Sequence, residues 1–217
     1  MAEQKRIQTP LSADISGRQR QDGTSGLRIL GLNTFFRQRD AAEVGVNSRQ
    51  LRQLVDDGSI ERVARGLYRI ADTEYTEDYT RAAVCARVPG AVLCLLTALR
   101  VHDIGTQAPA EVWIAIPHRS RAPVTILPVR VVRFSGASQR YGVEDTQFEG
   151  VPARITSPAR TVVDCFRFRR LVGMDVALEA IRDTLARRKA TPDQIQRAAE
   201  ACRAESLVRP VLQTLLA

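Results

Sequence analysis

Lysine is almost absent from this sequence, and cysteine and histidine are too sparse to form a familiar site. Lys5 and Lys189 are the only lysines among 32 basic residues, so arginine, which suits phosphate and guanine recognition, carries the positive charge. A biased codon composition would produce the same excess. The cysteines show neither a C-x-x-C pair nor a histidine at ligand spacing, which argues against a zinc site and a disulfide framework. We expect no metal or other cofactor, and four buried thiols: Cys85, Cys94, Cys165 and Cys202.

Long apolar segments are missing as well. No run reaches the roughly 18 apolar residues of a membrane-spanning helix. The first residues, MAEQKRIQTP, lack the apolar core of a signal peptide. We therefore expect a cytoplasmic protein without a membrane partner.

The motifs of common enzymes are also missing. No G-x-S-x-G, H-E-x-x-H or P-loop motif accompanies the two histidines, His102 and His118. A restriction-type nuclease needs an aspartate and then Glu-x-Lys on a strand, but the segment that starts at Glu111 has tryptophan where lysine should stand. A nucleotidyltransferase needs Gly-Ser followed by paired aspartates, but Gly58–Ser59 leads into Ile60–Glu61. We predict that the protein has no catalytic residues and is not an enzyme.

The positive charge is concentrated at the two ends of the chain. The 32 basic and 24 acidic residues give a formal net charge of +8. Residues 1–70 hold 12 basic and 8 acidic side chains, residues 71–156 hold 9 of each, and residues 157–217 hold 11 and 7. This distribution indicates a localised surface for an anionic partner.

Residues 39–70 predict a helix-turn-helix. Asp40 is a good N-cap residue, and Glu43 three positions later completes a capping-box pattern. Gly45 then ends the short first helix, because glycine readily takes the left-handed conformation found at helix C-termini.

The second helix follows a turn at Val46–Asn47, has Ser48 as its cap, and runs to about Asp57. One apolar stripe predicts its buried face: Leu51, Leu54 and Val55. The opposite face carries side chains of the types that reach base edges and phosphates in a major groove. The predicted DNA-contacting residues here are Asn47, Ser48, Arg49, Gln50, Arg52 and Gln53.

A basic β-hairpin comes next. Residues 60–64 and 67–70 alternate as strands do, around a tight turn at Arg65–Gly66. Its arginines complete the predicted DNA-contacting set: Arg62, Arg65 and Arg69. A helix-turn-helix with a basic hairpin is a winged helix, which we predict to bind double-stranded DNA. A merely solvated polar face is the alternative.

We predict an α+β protein with three segments. Residues 1–26 form a disordered basic arm, residues 27–72 the winged-helix domain, and residues 73–217 a mixed α/β C-terminal domain with a small sheet and several helices. In the first domain, residues 27–33 could add a short helix, and Phe35–Phe36 a brief strand or an aromatic plug.

Within the C-terminal domain we expect a sheet of three or four strands and a series of helices. The predicted strands are Glu111–Ile116, Val129–Phe134, Val143–Phe148 and Val151–Ile155. The predicted helices are Glu77–Arg87, Ala91–Val101, one that Ser157 caps with Pro158 in its first turn, 175–188, 191–204 and 207–216. The arginines expected outside or at the end of the Ser157 helix are Arg160, Arg167, Arg169 and Arg170.

Two motifs and their spacing carry a resemblance to a known family. They are VARGLYRI at Val63–Ile70 and ITSPARTVVDC at Ile155–Cys165, with TALRVHDIG, EVWIAIP and VRVVRF between them. Over roughly residues 35–217 the chain resembles the AbiEi-type antitoxins, the regulator half of type IV (abortive-infection) toxin–antitoxin pairs. It departs from the family at Leu93–Cys94, where a small polar or histidine-containing pattern is usual.

The resemblance implies an N-terminal domain that represses its own operon and a C-terminal domain linked to antitoxicity against a nucleotidyltransferase-like toxin. Two alternatives remain. One is a protein-interaction antitoxin in which DNA binding is secondary. The other is a metal-dependent nuclease that uses the lone carboxylates Asp103 and Asp164, although helix packing is the simpler role for Asp164.

Overall fold

The computed structural model describes residues 26–71 and 76–216, and the chain divides into two compact units, Met1–Tyr75 and Thr76–Ala217. The predicted α+β class is confirmed. The predicted basic arm lies outside the described residues except for its last position, and so do residues 72–75. No described helix is both long and apolar enough to cross a membrane.

The first unit has the elements of a winged helix. After a helical turn over residues 26–29, they are β1 (Phe35–Arg37), α1 (Gln38–Glu43), α2 (Ser48–Asp56), β2 (Ile60–Ala64) and β3 (Leu67–Ile70). The three strands pair antiparallel in the order β1-β3-β2. Phe36 stacks on Tyr68 with their ring centroids 5.8 Å apart, in a core shared with Leu51 and Leu54. The predicted hairpin is confirmed, and so is the brief strand at Phe35–Phe36.

Helix α1 begins earlier than predicted. Its N-cap is Arg37, and Asp40, predicted as the cap, is the third helical residue. Asp40 Oδ2 accepts a hydrogen bond from Arg37 N at 2.7 Å, so it still satisfies a free backbone donor, but from inside the first turn. Gly45 follows the helix at φ +86°, as its predicted role requires.

The second unit is larger and contains a five-stranded sheet with helices. Its helices are α3 (Tyr79–Arg87), α4 (Leu95–Val101), α5 (Pro158–Arg167), α6 (Arg169–Val172), α7 (Met174–Ala186), α8 (Pro192–Ala201) and α9 (Glu205–Leu216). Its strands are β4 (Val92–Leu93), β5 (Val112–Pro117), β6 (Val129–Phe134), β7 (Val143–Phe148) and β8 (Val151–Thr156). The order is β6-β5-β4-β8-β7, with β5–β6 and β4–β8 parallel and the other two pairs antiparallel.

Both faces of this sheet are covered. Trp113 and Ala115 of β5 belong to the main core, together with apolar residues of α4, α5 and α7 to α9. The alternate residues Val112, Ile114 and Ile116 are also buried, and α3 packs against β5, β7 and β8. Since successive side chains of a strand point to opposite faces, α3 covers the second face.

The predicted helix over Ala91–Val101 is wrong in its first half. Val92–Leu93 form the central strand β4, which pairs with Ile114–Ala115 on one side and Arg154–Ile155 on the other. Only Leu95–Val101 is helical. The sheet therefore has five strands instead of three or four. Helix α3 also begins later than predicted, at Tyr79.

Helix α5 forms as predicted at its start. Ser157 Oγ accepts from Arg160 N at 3.4 Å, and Pro158 occupies the first turn. The prediction that Arg160 lies outside is wrong, because its side chain is 0% exposed. Arg160 Nε donates to Asp164 Oδ2 at 2.9 Å, and its other nitrogens donate to the carbonyls of Tyr141 and Ser138 at 2.7 and 3.0 Å. Arg160 thus ties α5 to the segment before β7.

The four cysteines are free and buried, as predicted. Burial raises the pKa of Cys85 to about 12. Burial also raises the pKa of Cys94, Cys165 and Cys202 above the ordinary value of a thiol. All four therefore remain neutral apolar groups of the core.

Candidate nucleic-acid interface

The N-terminus of α2 is held by Asn47 instead of the predicted cap Ser48. Asn47 Oδ1 accepts from Arg49 N at 2.9 Å and from Gln50 N at 3.0 Å, and Gln50 Oε1 accepts from Asn47 N at 2.9 Å. This reciprocal capping box uses the polar groups of two residues from the predicted DNA-contacting set. Asn47 and Gln50 therefore have a structural role at this end of the helix.

Ser48 is also engaged, in a contact between the two helices of the motif. Gln38 Nε2, at the start of α1, donates to Ser48 Oγ at 3.0 Å, and Ser48 is exposed. The predicted set did not include Gln38. No local sequence pattern predicts a role for Gln38, because the hydrogen bond joins residues ten positions apart across a turn.

The exposed face of α2 is basic. Leu51 and Leu54 are buried and Val55 is half-buried, as the apolar stripe predicts. Arg49, Arg52 and Gln53 are exposed on the other side. Among the described residues, neither Arg49 nor Arg52 has an ion pair or side-chain hydrogen bond.

The hairpin adds two more exposed arginines. Arg62 lies in the middle of β2, and Arg65 lies in the turn before Gly66, whose φ of +71° closes the hairpin. Within the described residues, neither side chain has an ionic partner. These two arginines extend the positive surface beyond the helix.

Arg69 does not belong to this surface. It was predicted to contact DNA, but its side chain is 0% exposed and its Nη1 lies 3.4 Å from Glu61 Oε2. A guanidinium with no exposed surface cannot contact DNA, and the charge of Arg69 lies beside the Glu61 carboxylate of the paired strand. The prediction for Arg69 is therefore corrected.

A second ion pair orders the entry to the motif. Arg37 Nη2 lies 2.6 Å from Asp40 Oδ1, and Arg37 Nε donates to Asp40 Oδ2 at 2.8 Å. Partial burial by itself would raise the pKa of Asp40. The hydrogen bonds from Arg37 and the charges of Arg37 and Arg39 have a larger combined effect in the other direction, so the pKa of Asp40 lies below its usual value. The carboxylate is therefore ionised at neutral pH and neutralises Arg37.

Residues considered for catalysis do not form a site. Asp164 is 0% exposed and accepts from both Arg160 and Arg167, so it is not available to a substrate. His102 Nε2 lies 2.7 Å from the carbonyl of Thr156, whereas His118 is exposed. In the described part of the chain, no three His, Cys, Asp or Glu side chains are grouped so that they could hold a metal ion.

The helix-turn-helix and the hairpin described above lie in a segment that matches the model of a known protein family. Residues 33–71 match the model of the family described as "Transcriptional regulator, AbiEi antitoxin". The predicted resemblance is confirmed for this segment. The match concerns this segment of the first unit, and the family's description is that of a transcriptional regulator and antitoxin.

Similarity to a solved structure extends over more of the chain. The RV2827C protein from Mycobacterium tuberculosis superposes with a TM-score of 0.55, at 17% identity, over 89% of this chain and 78% of that chain. At this identity the similarity concerns the fold alone. Among curated proteins, none matches the chain.

Proposed function

We propose that this protein is a transcriptional repressor that binds double-stranded DNA at its own promoter. In this proposal α2 enters the major groove and the β2–β3 hairpin lies against the sugar-phosphate backbone. One observation carries it: the segment that matches a family of transcriptional regulators presents exposed arginines without ionic partners among the described residues. They are Arg49, Arg52, Arg62 and Arg65.

The geometry supports a division of roles between these side chains. Arg49 lies in the first turn of α2, where recognition helices meet base edges. Arg52 and Gln53 lie one turn further along the exposed face. Arg62 and Arg65 are suited to phosphate or minor-groove contacts. Asn47, Ser48 and Gln50 support the helix through their own hydrogen bonds, so their contribution to binding is mainly indirect.

The experiment is a titration of the full chain with the DNA upstream of its own gene, across salt concentrations. Each phosphate neutralised contributes about −0.9 to the slope of log K against log salt, so Arg62 and Arg65 on phosphates give about −1.8 for each chain bound. A duplex of the same composition in scrambled order is the control. Binding that does not change with salt, or that is equal for both duplexes, contradicts an operator-binding repressor.

The second candidate function is an antitoxin that captures a nucleotidyltransferase-like toxin, with DNA binding secondary. The description of the matched family as an antitoxin favours it. The test is co-expression of this chain with the product of a neighbouring nucleotidyltransferase-like gene, followed by affinity purification. Co-purification that persists after nuclease treatment supports capture. Absence of co-purification contradicts toxin capture.

A further inference from the structure

Among the described strands, β6 lies at one edge of the five-stranded sheet and pairs with β5 alone. Phe134 O accepts from His118 N at 2.9 Å and Pro128 O accepts from Val112 N at 2.8 Å, so the even-numbered peptide groups of β6 face β5. The odd-numbered peptide groups face away from the sheet, and none of them has a hydrogen bond within the described residues: Val129, Val131 and Arg133. An open edge of this kind can pair with another strand.

The loop before β6 presents two large apolar side chains to solvent. Val124 is 84% exposed and Ile126 is 83% exposed. The residues on either side of them are half-buried, so the two side chains emerge from the same alternating segment. Single exposed apolar residues are ordinary. Two of them next to an open strand form an apolar surface for a partner that pairs with the strand.

The same loop is basic, and arginines hold it in position. Arg133 Nη1 donates to the carbonyls of His118 and Ser120 at 2.9 and 2.6 Å, and Arg87 Nη2 donates to the carbonyl of Val124 at 3.1 Å. Arg119 and Arg121 are exposed, and within the described residues neither has a side-chain partner. The loop is therefore ordered by some arginines while others remain available.

We propose that this surface binds an extended acidic segment of a partner protein, which adds a strand to the sheet beside β6. The β6 edge patch, as we name it, consists of Arg119, Arg121, Val124, Ile126, Arg130 and Arg133. The backbone of the partner pairs with the open peptide groups. Its carboxylates meet Arg119, Arg121 and Arg130, and its apolar residues cover Val124 and Ile126.

Charge selects this partner over a second copy of the chain. Strand β6 contains no acidic residue, so two copies of it would bring Arg130 and Arg133 of each chain onto neighbouring strands. Like charges that lie directly opposite each other on neighbouring strands are destabilising. Arg130 Nη1 lies 3.9 Å from Glu111 Oε2, and its guanidinium lies 5.5 Å from the Trp113 ring centroid. Both members of the ion pair are about half exposed, so water screens it and the guanidinium remains accessible to a partner. A DNA duplex would match the arginines but would use neither the peptide groups nor the two aliphatic side chains.

The test measures fluorescence anisotropy of a labelled peptide of alternating glutamate and valine, about as long as β6, with the full chain as titrant. The variant Arg119→Glu/Arg121→Glu should weaken peptide binding by about tenfold or more, because it reverses the charge of two arginines of the patch. The control variant Arg170→Glu/Arg182→Glu makes the same charge change at two exposed sites elsewhere in this unit and should bind normally. A peptide of alternating lysine and valine should not bind.

A second variant separates the apolar contact from charge alone. Val124→Ser/Ile126→Ser keeps every charge and should also weaken binding. Thermal unfolding followed by Trp113 fluorescence checks that each variant is folded. Absence of saturable binding up to about 1 mM overturns the proposal. Equal loss of peptide binding in both charge variants also overturns it. A third outcome overturns it as well: Arg119→Glu/Arg121→Glu loses binding to scrambled duplex DNA while the control variant keeps it. That result assigns the patch to nucleic acid.

Discussion

At the scale of single residues, two groups of arginines in this protein have different roles. Arg69 and Arg160 are fully buried and hold strands and turns in place. Others are exposed and, among the described residues, have no ionic partner: Arg49, Arg52, Arg62 and Arg65. The sequence does not distinguish the groups, because the partners that bury an arginine lie far along the chain or across a hairpin.

Substitution of Arg49 should affect DNA sequence preference. Arg49→Ala is expected to cost about 1–3 kcal/mol of binding to the promoter and to relax specificity if Arg49 reads a guanine. Arg62→Ala should weaken binding to promoter and scrambled duplexes alike. Both are measured by the salt titration described above. A uniform loss in Arg49→Ala, with no change in specificity, contradicts the assignment of Arg49 to base recognition.

Substitution of Asn47 should affect stability through the helix cap. Asn47→Ala is expected to destabilise the first unit by about 1 kcal/mol, because two backbone donors lose their acceptor. Asn47→Asp keeps the acceptor and should retain stability. Ser48→Ala is the neighbouring control, since Ser48 is not the cap. Urea unfolding by far-ultraviolet circular dichroism measures the three variants, and a larger loss in Ser48→Ala than in Asn47→Ala contradicts the cap assignment.

At the scale of elements, two helices carry ion pairs of the same spacing in opposite environments. Both side chains of the Arg160–Asp164 pair in α5 are 0% exposed. The side chains of the Arg197–Asp193 pair in α8 are 69% and 66% exposed. Asp164→Ala should destabilise the second unit by about 3–5 kcal/mol, because Arg160 is left buried and uncompensated. Asp193→Ala should cost at most about 0.5 kcal/mol. Similar losses in urea unfolding would contradict the structural role of Asp164.

The junction of α4 and β8 should make the second unit sensitive to acid. Burial lowers the pKa of His102 and outweighs the hydrogen bond to Thr156 and the nearby Glu144, which raise it. The unfolded chain takes up this proton near pH 6.5 and the folded chain does so only at lower pH, so stability should fall as pH drops below about 6.5. His102→Gln should reduce this dependence, and His118→Gln, in an exposed loop, should not. Urea midpoints measured between about pH 7.5 and 5.5 check this.

The elements that the sequence predicted well have local causes. The hairpins at Arg65–Gly66 and Glu149–Gly150 result from strands of alternating residues on either side of a tight turn. The start of α5 is marked by the cap residue Ser157 and by Pro158 after it. Strand β4 has no such signal. Val92–Leu93 lies in a long apolar run that also suits a helix, and only pairing with β5 and β8 makes it a strand. The cap Asn47 was missed because the adjacent Ser48 is an equally good cap residue by type.

At the scale of the whole molecule, the two units have cores that share no residue. A fragment of residues 76–217 should therefore unfold cooperatively by itself, with a urea midpoint like that of the same unit in the full chain. Trp113 is the only tryptophan and is buried in this unit, so its fluorescence follows this unit alone. A fragment that shows solvent-exposed tryptophan emission without urea contradicts the independence of the units.

The short central strand β4 also has a consequence for synthesis on the ribosome. Its partner β5 follows it closely, but its other partner β8 ends at Thr156, well after β6 ends at Phe134. At the usual elongation rate the interval between these points lasts roughly 1–4 s. During that time three of the five strands, β4, β5 and β6, have been made, while β8 and the helices α5 and α7 to α9, which cover the main core face, are still missing. Slow translation of this stretch would therefore favour aggregation of the nascent chain, and a chaperone that binds apolar strands would act at this stage.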